Sequence, residues 1–243
     1  MIAITKPNDP GNYRPITITS KWRKITSKVV LKLHSQTMSL ILPQGQYGVG
    51  TPYGAESIIT SLQTVLHLCV EEKQSLIITQ FDLTNAYNCV NRKQMLNILL
   101  GAGLHPLALT YFAQMFQEEG IYFYEGEKPR IIPNARGVSQ GKTWSPMLFS
   151  MYLADTIGSI HRAAIINNKM TEHVINLCNV PPVFSYLDDI FLISPRLPTA
   201  QYMSQLLIYD LVKIGMKPNL TKTKCLHLNI EGKVEQLSTM EII

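Results

Sequence analysis

Cysteine, charged residues and long apolar runs are all scarce in this 243-residue chain. The four cysteines form no Cys-x-x-Cys pair, and no histidine lies at metal-ligand spacing from another. This pattern argues against a structural zinc site and predicts reduced thiols. No run of about 18 apolar residues exists, so we expect no transmembrane helix and no membrane partner. The proline-rich residues 6–10 come before any signal-peptide core, which favours an intracellular protein, nuclear or cytoplasmic.

The charge balance is basic although charge is sparse. Charged residues make up 16% of the chain, below the typical quarter, and 22 Lys and Arg oppose 17 Asp and Glu. The net charge of +5 is compatible with a polyanionic partner without establishing one. A hydrophobic content of 46% allows a sizeable core, and the length allows one large domain or two small ones.

The most informative feature is the pair Asp188-Asp189 inside the apolar run 183–193, together with Asp82 after the apolar segment 76–81. Strand-like residues flank the pair, which predicts that it lies at the tight turn of a hairpin. Half-buried like charges repel and normally need a compensating cation. Aspartate is also common in ordinary turns. Three carboxylates from two strands are nevertheless suited to two divalent cations and in-line phosphoryl transfer.

Periodicity and capping patterns predict the other elements. Residues 6–15 and 42–54 are predicted loops, because they are rich in proline, glycine and asparagine or tyrosine. Ser20 is predicted to cap a helix with an apolar face. That face carries Trp22, Ile25, Val29 and Leu33, beside a row of Lys24, Lys28 and Lys32. Such a basic row is either a solvated face or the lining of a nucleic-acid channel.

The order of the predicted segments indicates an α+β fold. Further helices are expected at 55–70, 93–100, 106–117, from Ser145 onward and at 199–214. A second hairpin is expected at 121–132 and a last strand at 225–230. Helices over one face of an antiparallel sheet with a split βαβ core fit this order.

Six short motifs follow one another in a consistent order. They are residues 12–16 (Asn-Tyr-Arg-Pro-Ile), 46–49 (Gln-Tyr-Gly-Val), 81–90 (Phe-Asp-Leu-Thr-Asn-Ala-Tyr-Asn-Cys-Val), 137–141 (Gly-Val-Ser-Gln-Gly) with 145–149, 184–189 (Phe-Ser-Tyr-Leu-Asp-Asp), and 215–219 with 222–224. Together they resemble the reverse transcriptases, most closely the non-LTR retrotransposon type. The resemblance implies a right-hand polymerase with fingers at about 1–57 and 92–143, a palm at about 58–91 and 144–243, and a thumb that is absent or truncated.

The resemblance also implies a catalytic site. Asp82, Asp188 and Asp189 would form the metal site for two Mg²⁺ ions about 3.5–4 Å apart, for which Mn²⁺ can substitute. Asp189 would either touch a metal or support Asp188. The carbonyl of Leu83 would be a further ligand. Lys222 is the candidate proton donor to pyrophosphate, and a solvated lysine is the alternative.

Other residues would contact the nucleotide and the primer. Tyr87 would lie against the sugar and exclude a 2′-hydroxyl, or else be a core aromatic residue. The remaining implied contacts are Lys6 and Arg14 with phosphates, Gln140 with the sugar, Gly141 with template and base, and Tyr186 with the primer end. Lys142-Thr143-Trp144 departs from the family, which usually has a small, apolar triplet there. This departure concerns the template contact and not the metal site.

The sequence therefore predicts an RNA-directed DNA polymerase that uses an RNA template, a DNA or RNA primer and dNTPs, as part of a retroelement polyprotein. Three alternatives stay open: a weakly catalytic nucleic-acid-binding remnant, a viral-type RNA-directed RNA polymerase, and an unrelated basic α+β binding module. Viral RNA polymerases usually carry Gly-Asp-Asp where this chain has Leu187-Asp188-Asp189. Whether the protein incorporates dNTPs or rNTPs distinguishes an RNA-directed DNA polymerase from a viral-type RNA-directed RNA polymerase.

Overall fold

The computed structural model describes residues 2–6, 9–117, 120–125, 128–133, 135–167 and 180–243, with side chains for 16–117, 135–166, 180–239 and 241–243. The chain forms two compact units. Unit 1 comprises Met1–Ile41 and Tyr87–Tyr152, and unit 2 comprises Leu42–Ala86 and Leu153–Ile243. In the described part of the chain, none of the helices has the length and apolar character needed to cross a membrane.

Strands and helices alternate along the chain. In order they are β1 (Ile2–Lys6), β2 (Asp9–Ile16), α1 (Lys21–Ser39), α2 (Gly54–Glu71), β3 (Leu76–Phe81), α3 (Ala86–Cys89), α4 (Arg92–Gly101), α5 (Pro106–Gln117), β4 (Gly120–Glu125), β5 (Lys128–Pro133), α6 (Ser145–Tyr152), α7 (Ala154–Asn167), β6 (Val183–Tyr186), β7 (Asp189–Ser194), α8 (Leu197–Lys213), β8 (Lys224–Leu228), β9 (Val234–Leu237) and α9 (Thr239–Ile242).

A five-stranded sheet is the centre of unit 2. Its order is β6-β7-β3-β8-β9, and every neighbouring pair is antiparallel. Strand β3 therefore lies in the middle, between β7 and β8. Since β3 is rich in apolar and β-branched residues, it suits a position with both edges paired. The α+β class expected from the sequence is confirmed.

Both faces of this sheet are covered. On one face, Leu76 and Phe184 join a core with Ile58 and Val65 of α2. On the opposite face, Ile77 packs with Ala200 of α8, in a core completed by Cys225 and Ile242. Consecutive strand residues point to opposite faces, so Leu76 and Ile77 contribute to different cores. Helix α2 thus adds a second covered face to the one formed by α8 and α9.

Unit 1 packs around aromatic side chains. Ser20 caps α1 as predicted, since its hydroxyl accepts a hydrogen bond from the Arg23 N–H at 3.3 Å. The Ser27 and Tyr111 hydroxyls lie 2.8 Å apart and connect α1 to α5. Trp144 is completely buried, with its ring edge-on to those of Phe112 and Phe116. These contacts bring α1, α5 and the chain before α6 into one core.

Two expectations about the N-terminal part of the chain were incomplete. Residues 6–15 were expected to form a loop, but the backbone of 9–16 forms β2 and pairs with β1. Proline is tolerated there because this two-stranded sheet has only edge strands. The apolar face predicted for α1 is present, yet its side chains are exposed, from 51% for Val29 to 80% for Trp22. The buried residues of α1 are Ser27 and Met38, on the other side of the helix.

Candidate active site

The hairpin β6–β7 presents the aspartate pair as predicted. Tyr186 pairs with Asp189, which leaves Leu187 and Asp188 as the two residues of the turn. Leu187 has a φ of 57°, which lies in the left-handed region. A residue other than glycine is strained there by about 1–3 kcal/mol. Tyr186 ends β6 with 37% of its surface exposed. The turn therefore holds Asp188 at the tip of the hairpin at the expense of local strain.

The segment 45–48 supports this turn from the edge of the sheet. The Tyr47 N–H donates to the Ser185 carbonyl at 2.8 Å, and the Ser185 N–H donates to the Gly45 carbonyl at the same distance. Gly48 follows immediately, and a Cβ there would lie 2.7 Å from the backbone nitrogen of Leu187. The Gln-Tyr-Gly motif thus extends the sheet beyond β6 and leaves room for the strained residue.

The register of β3 brings Asp82 to the same end of the sheet. Phe81 is opposite Ile190 and Gln80 is opposite Phe191. In an antiparallel pair, one step forward on β3 matches one step back on β7. The next pair in this register is therefore Asp82 on β3 opposite Asp189 on β7. The backbone after β3 pairs further with residues 217–219. The Thr84 N–H donates to the Lys217 carbonyl, and the Asn219 N–H to the Asp82 carbonyl, both at 2.8 Å.

Two carboxamides that the sequence did not single out contact these carboxylates. The Asn219 Nδ2 donates to Asp82 Oδ2 at 3.3 Å, and the Gln80 Nε2 donates to Asp189 Oδ1 at 3.5 Å. Gln80 is two residues before Asp82, so the alternation of side chains along β3 places both on the same face of the strand. This gave a weak indication that Gln80 lies near the site. Asn219 is 137 residues away from Asp82, and only its membership of a motif pointed to it.

The surroundings of Asp189 disfavour its ionised form. Burial raises the pKa of the Asp189 carboxyl, the charge of Asp188 raises it further, and Asp82 adds a smaller increase that the Gln80 hydrogen bond opposes. The carboxylates of Asp188 and Asp82 therefore both act electrostatically on Asp189. Among the side chains that the structure describes, however, no three or more Asp, Glu, His or Cys residues form a group that could hold a metal by themselves.

The candidate nucleotide residues of unit 1 differ in exposure, since Tyr87 is buried, Gln140 is half-buried and Gly141 is exposed. Tyr87 is 8% exposed, and its ring stacks on Phe149 with centroids 4.6 Å apart. The Gln140 carbonyl accepts from the Thr17 N–H at 2.8 Å. Gly141 has a φ of +94°, and a Cβ there would lie 2.9 Å from the Thr17 carbonyl oxygen. The glycine is thus required by a close backbone contact inside unit 1, and its template contact stays a prediction.

The unusual triplet after Gly141 is part of the core of unit 1. Lys142 is buried, and its ammonium lies 5.1 Å from the centre of the Trp144 ring. Such a cation–π contact is favourable when it is shielded from water. Two residues of the triplet that departs from the family, Lys142 and Trp144, are therefore buried, and the template contact at these positions stays a prediction.

The remaining candidates are placed as follows. Leu83 is buried and forms an isolated bridge with Pro218, and Lys222 is exposed in the turn before β8. Lys6 and Arg14 belong by their backbones to β1 and β2, but their side chains lie outside the described residues. The roles predicted for these four residues stay predictions.

Solved structures share the fold of this chain. A solved structure of telomerase from Candida tropicalis in complex with a TWJ fragment of telomeric RNA matches with a TM-score of 0.63 at 12% identity, over 88% of this chain and 38% of that one. Apo telomerase from the same organism matches with a TM-score of 0.60 at 11% identity, over 86% and 40%. At such identities the likeness concerns the fold alone, an α+β fold whose antiparallel sheet is like a polymerase palm.

The sequence then gives the family. A family model described as reverse transcriptase (RNA-dependent DNA polymerase) matches residues 4–240, so the chain belongs to the reverse transcriptase family. The resemblance inferred from the motifs is confirmed.

Relatives include retrotransposon proteins. A Pol polyprotein from the type-1 retrotransposable element R2 of Popillia japonica is 24% identical over 196 residues, which cover 79% of this chain and 26% of that protein. The RNA-directed DNA polymerase from mobile element jockey of Drosophila melanogaster is 25% identical over 153 residues, covering 61% and 16%. The chain thus spans about a quarter or less of the length of these relatives.

The contact between Gly48 and the strained turn leads to a stability prediction. Gly48→Ala should lower the free energy of unfolding by about 1–3 kcal/mol, because the added methyl group would overlap the Leu187 backbone. Thermal or urea unfolding measures this. Gly101→Ala is the control, since a Cβ at this helical position meets nothing within 4 Å, and no loss of stability is expected because alanine favours a helix more than glycine does. Equal effects of the two substitutions would contradict the assigned contact.

The raised pKa of Asp189 predicts a pH dependence in protein free of divalent cations. A carboxyl whose pKa is higher in the folded than in the unfolded state binds more protons when folded, so stability falls as pH rises through the window between the two values. Asp189→Asn should therefore raise the melting temperature at neutral pH in EDTA. The gain should disappear below the ordinary aspartate pKa.

The control for this experiment is Glu235→Gln, which changes an exposed carboxylate of the same unit. It should show no such pH-dependent gain. A melting temperature of Asp189→Asn equal to or below that of the unmodified protein at neutral pH would show that Asp189 is not destabilised by burial and by its neighbours.

Proposed function

We propose that this chain carries out RNA-templated DNA synthesis by transferring dNTPs to a primer 3′-hydroxyl, in the context of a retroelement polyprotein. The observation that carries the proposal is the β3–β7 register, which brings Asp82 beside Asp189 with Asp188 in the adjoining turn, in a chain of the reverse transcriptase family. Unit 1 would contain most of the fingers, and unit 2 most of the palm.

The donor set fits Mg²⁺. This ion prefers oxygen ligands and usually takes one or two carboxylates together with phosphates of a substrate. Asp82 and Asp188 offer carboxylates, and burial together with repulsion from the neighbouring aspartates disfavours the charged form of Asp189. Because the described side chains do not complete a metal site alone, phosphate oxygens of a bound nucleotide would supply the missing ligands.

The protein residues would then have distinct roles. When bound, two Mg²⁺ ions would promote loss of the primer hydroxyl proton and neutralise the triphosphate. Asp82 and Asp188 would hold the ions, with the Leu83 carbonyl as a further ligand and Asp189 in support. Lys222 would protonate the departing pyrophosphate. Mn²⁺ would substitute for Mg²⁺.

The other contacts would be made to sugar, phosphate and primer. Tyr87 would exclude a 2′-hydroxyl, Gln140 would bind near the sugar, and Gly141 would admit template and base. Tyr186, which is partly exposed beside the aspartates, would contact the primer end. Lys6 and Arg14 would bind phosphates.

Helix α1 supports a nucleic-acid partner. Its lysines Lys21, Lys24, Lys28 and Lys32 are all exposed, and the helix contains no acidic residue. Phosphate contacts by lysine and arginine provide much of the affinity for nucleic acids and weaken as salt rises. The family favours a DNA product over an RNA product, and primer extension on an RNA template with dNTPs or with rNTPs distinguishes the two.

The metal-ligand role of Asp188 predicts a loss of catalysis without a loss of binding. Asp188→Asn should reduce nucleotide addition by more than about 100-fold, since loss of partners that only orient metal ligands already lowers affinity or activity about 10–100-fold. Primer extension measures activity, and fluorescence anisotropy with a labelled RNA–primer duplex measures binding. Glu235→Gln should leave both unchanged. Full activity of Asp188→Asn would refute the proposed site.

The sugar contact of Tyr87 predicts a change in selectivity. Tyr87→Ala should increase rNTP incorporation relative to dNTP incorporation by about 10–200-fold, the range expected when a small steric clash is removed. The ratio is measured within one variant, so any loss of folded protein cancels. Phe112→Ala, another buried aromatic of unit 1, should leave the ratio unchanged. An unchanged ratio in Tyr87→Ala would assign Tyr87 to the core alone.

A further inference from the structure

Asn219 lies where the chain after α8 runs beside the end of β3. Pro218 bridges to Leu83 in antiparallel fashion, and the hydrogen bonds of Lys217 and Asn219 with Thr84 and Asp82 extend this pairing. Residues 217–219 thus form a short additional strand-like segment against the backbone that carries Asp82. The contact fixes the backbone of a candidate metal ligand from outside the sheet.

The Asn219 side chain adds a second contact with Asp82. Its Nδ2 donates to Asp82 Oδ2 at 3.3 Å, and its Oδ1 accepts from the Thr221 hydroxyl at 2.7 Å. A carboxylate only accepts hydrogen bonds, and an amide oxygen cannot donate one. Thr221 therefore holds the amide in the orientation that directs its N–H to Asp82.

The turn that follows makes Asn219 rigid. Its carbonyl accepts from the Lys222 N–H at 3.1 Å, and from the Thr223 N–H and hydroxyl at 3.0 Å each. Lys222 thus lies within the same hydrogen-bonded turn. An amide is neutral, so it orients the Asp82 carboxylate while leaving its negative charge for a cation. A lysine or arginine at this position would neutralise that charge instead.

We propose that Asn219 is a positioning residue for Asp82: its side chain, held by Thr221, fixes the carboxylate in the orientation that binds a divalent cation. This inference deepens the proposed function and rests on it, since it requires Asp82 to be a metal ligand. The rival explanation is that Asn219 only stabilises its turn through the backbone.

Asn219→Ala separates these explanations because it retains the backbone hydrogen bond to Asp82 and removes only the side-chain bonds. The probe is Mn²⁺, titrated into the full chain with a non-hydrolysable α,β-imido dNTP, and bound metal is measured by electron paramagnetic resonance. We expect Mn²⁺ affinity to fall about 10–100-fold, the usual effect of losing a residue that orients a metal ligand. The Mg²⁺ concentration for half-maximal primer extension should rise in parallel.

The matched control is Asn229→Ala. Asn229 accepts hydrogen bonds from the N–H groups of Glu231 and Lys233 in the β8–β9 turn, both at 3.0 Å. Its loss removes side-chain bonds from a turn of the same unit, without contact to an aspartate of the site. It should leave Mn²⁺ affinity unchanged.

The outcomes distinguish the two proposals. Unchanged Mn²⁺ affinity in Asn219→Ala, with a clear loss in Asp82→Asn, would overturn the positioning role and leave the proposed function intact. Unchanged affinity in Asp82→Asn would overturn the metal site itself. If Asn219→Ala does not fold, Thr221→Ala at its exposed position decides, because a smaller loss of affinity supports the proposal and no loss refutes it.

Discussion

The arrangement of unit 2 depends on keeping like charges together at one end of a sheet. The β3–β7 register makes Asp82 and Asp189 neighbours, and the hairpin turn adds Asp188. Burial and mutual repulsion both disfavour the ionised form of Asp189. Folding must therefore supply enough favourable packing elsewhere, and it does so through apolar cores on both faces of the sheet. A cation bound at this end would remove much of the repulsion.

Neutral hydrogen-bond donors are the second part of this arrangement. Asn219 and Gln80 each direct an amide N–H at a carboxylate of the group. A hydrogen bond to a charged acceptor is stronger than one between neutral groups, yet it does not cancel the charge. The carboxylates can thus be oriented in the absence of metal while the site remains negative. This property would suit the metal-binding role proposed for these carboxylates.

Two segments outside the regular strands support the backbone that carries the aspartates. Segment 45–48 pairs with Ser185 on one side of the hairpin, and residues 217–219 pair with the chain after β3. Neither segment is a strand of the five-stranded sheet, but the first pairs with β6 and the second with the residues that follow β3. Backbone hydrogen bonds consequently support the chain at both places that carry the aspartates, namely the β6–β7 hairpin and the residues after β3. In unit 1, by contrast, Tyr87 and Lys142 gain their positions from aromatic packing.

Local patterns in the sequence determined the helix cap at Ser20, the hairpin with its aspartate pair, most of the helices and the membership of the reverse transcriptase family. These features depend on neighbouring residues or on the order of motifs, so they can be predicted without coordinates. Only the tertiary structure decided that residues 9–16 form a strand, that Lys142 is buried and that Asn219 contacts Asp82. The physical reason is that strand pairing, burial and the choice of hydrogen-bond partner depend on groups far along the chain, here 137 residues apart for Asn219 and Asp82.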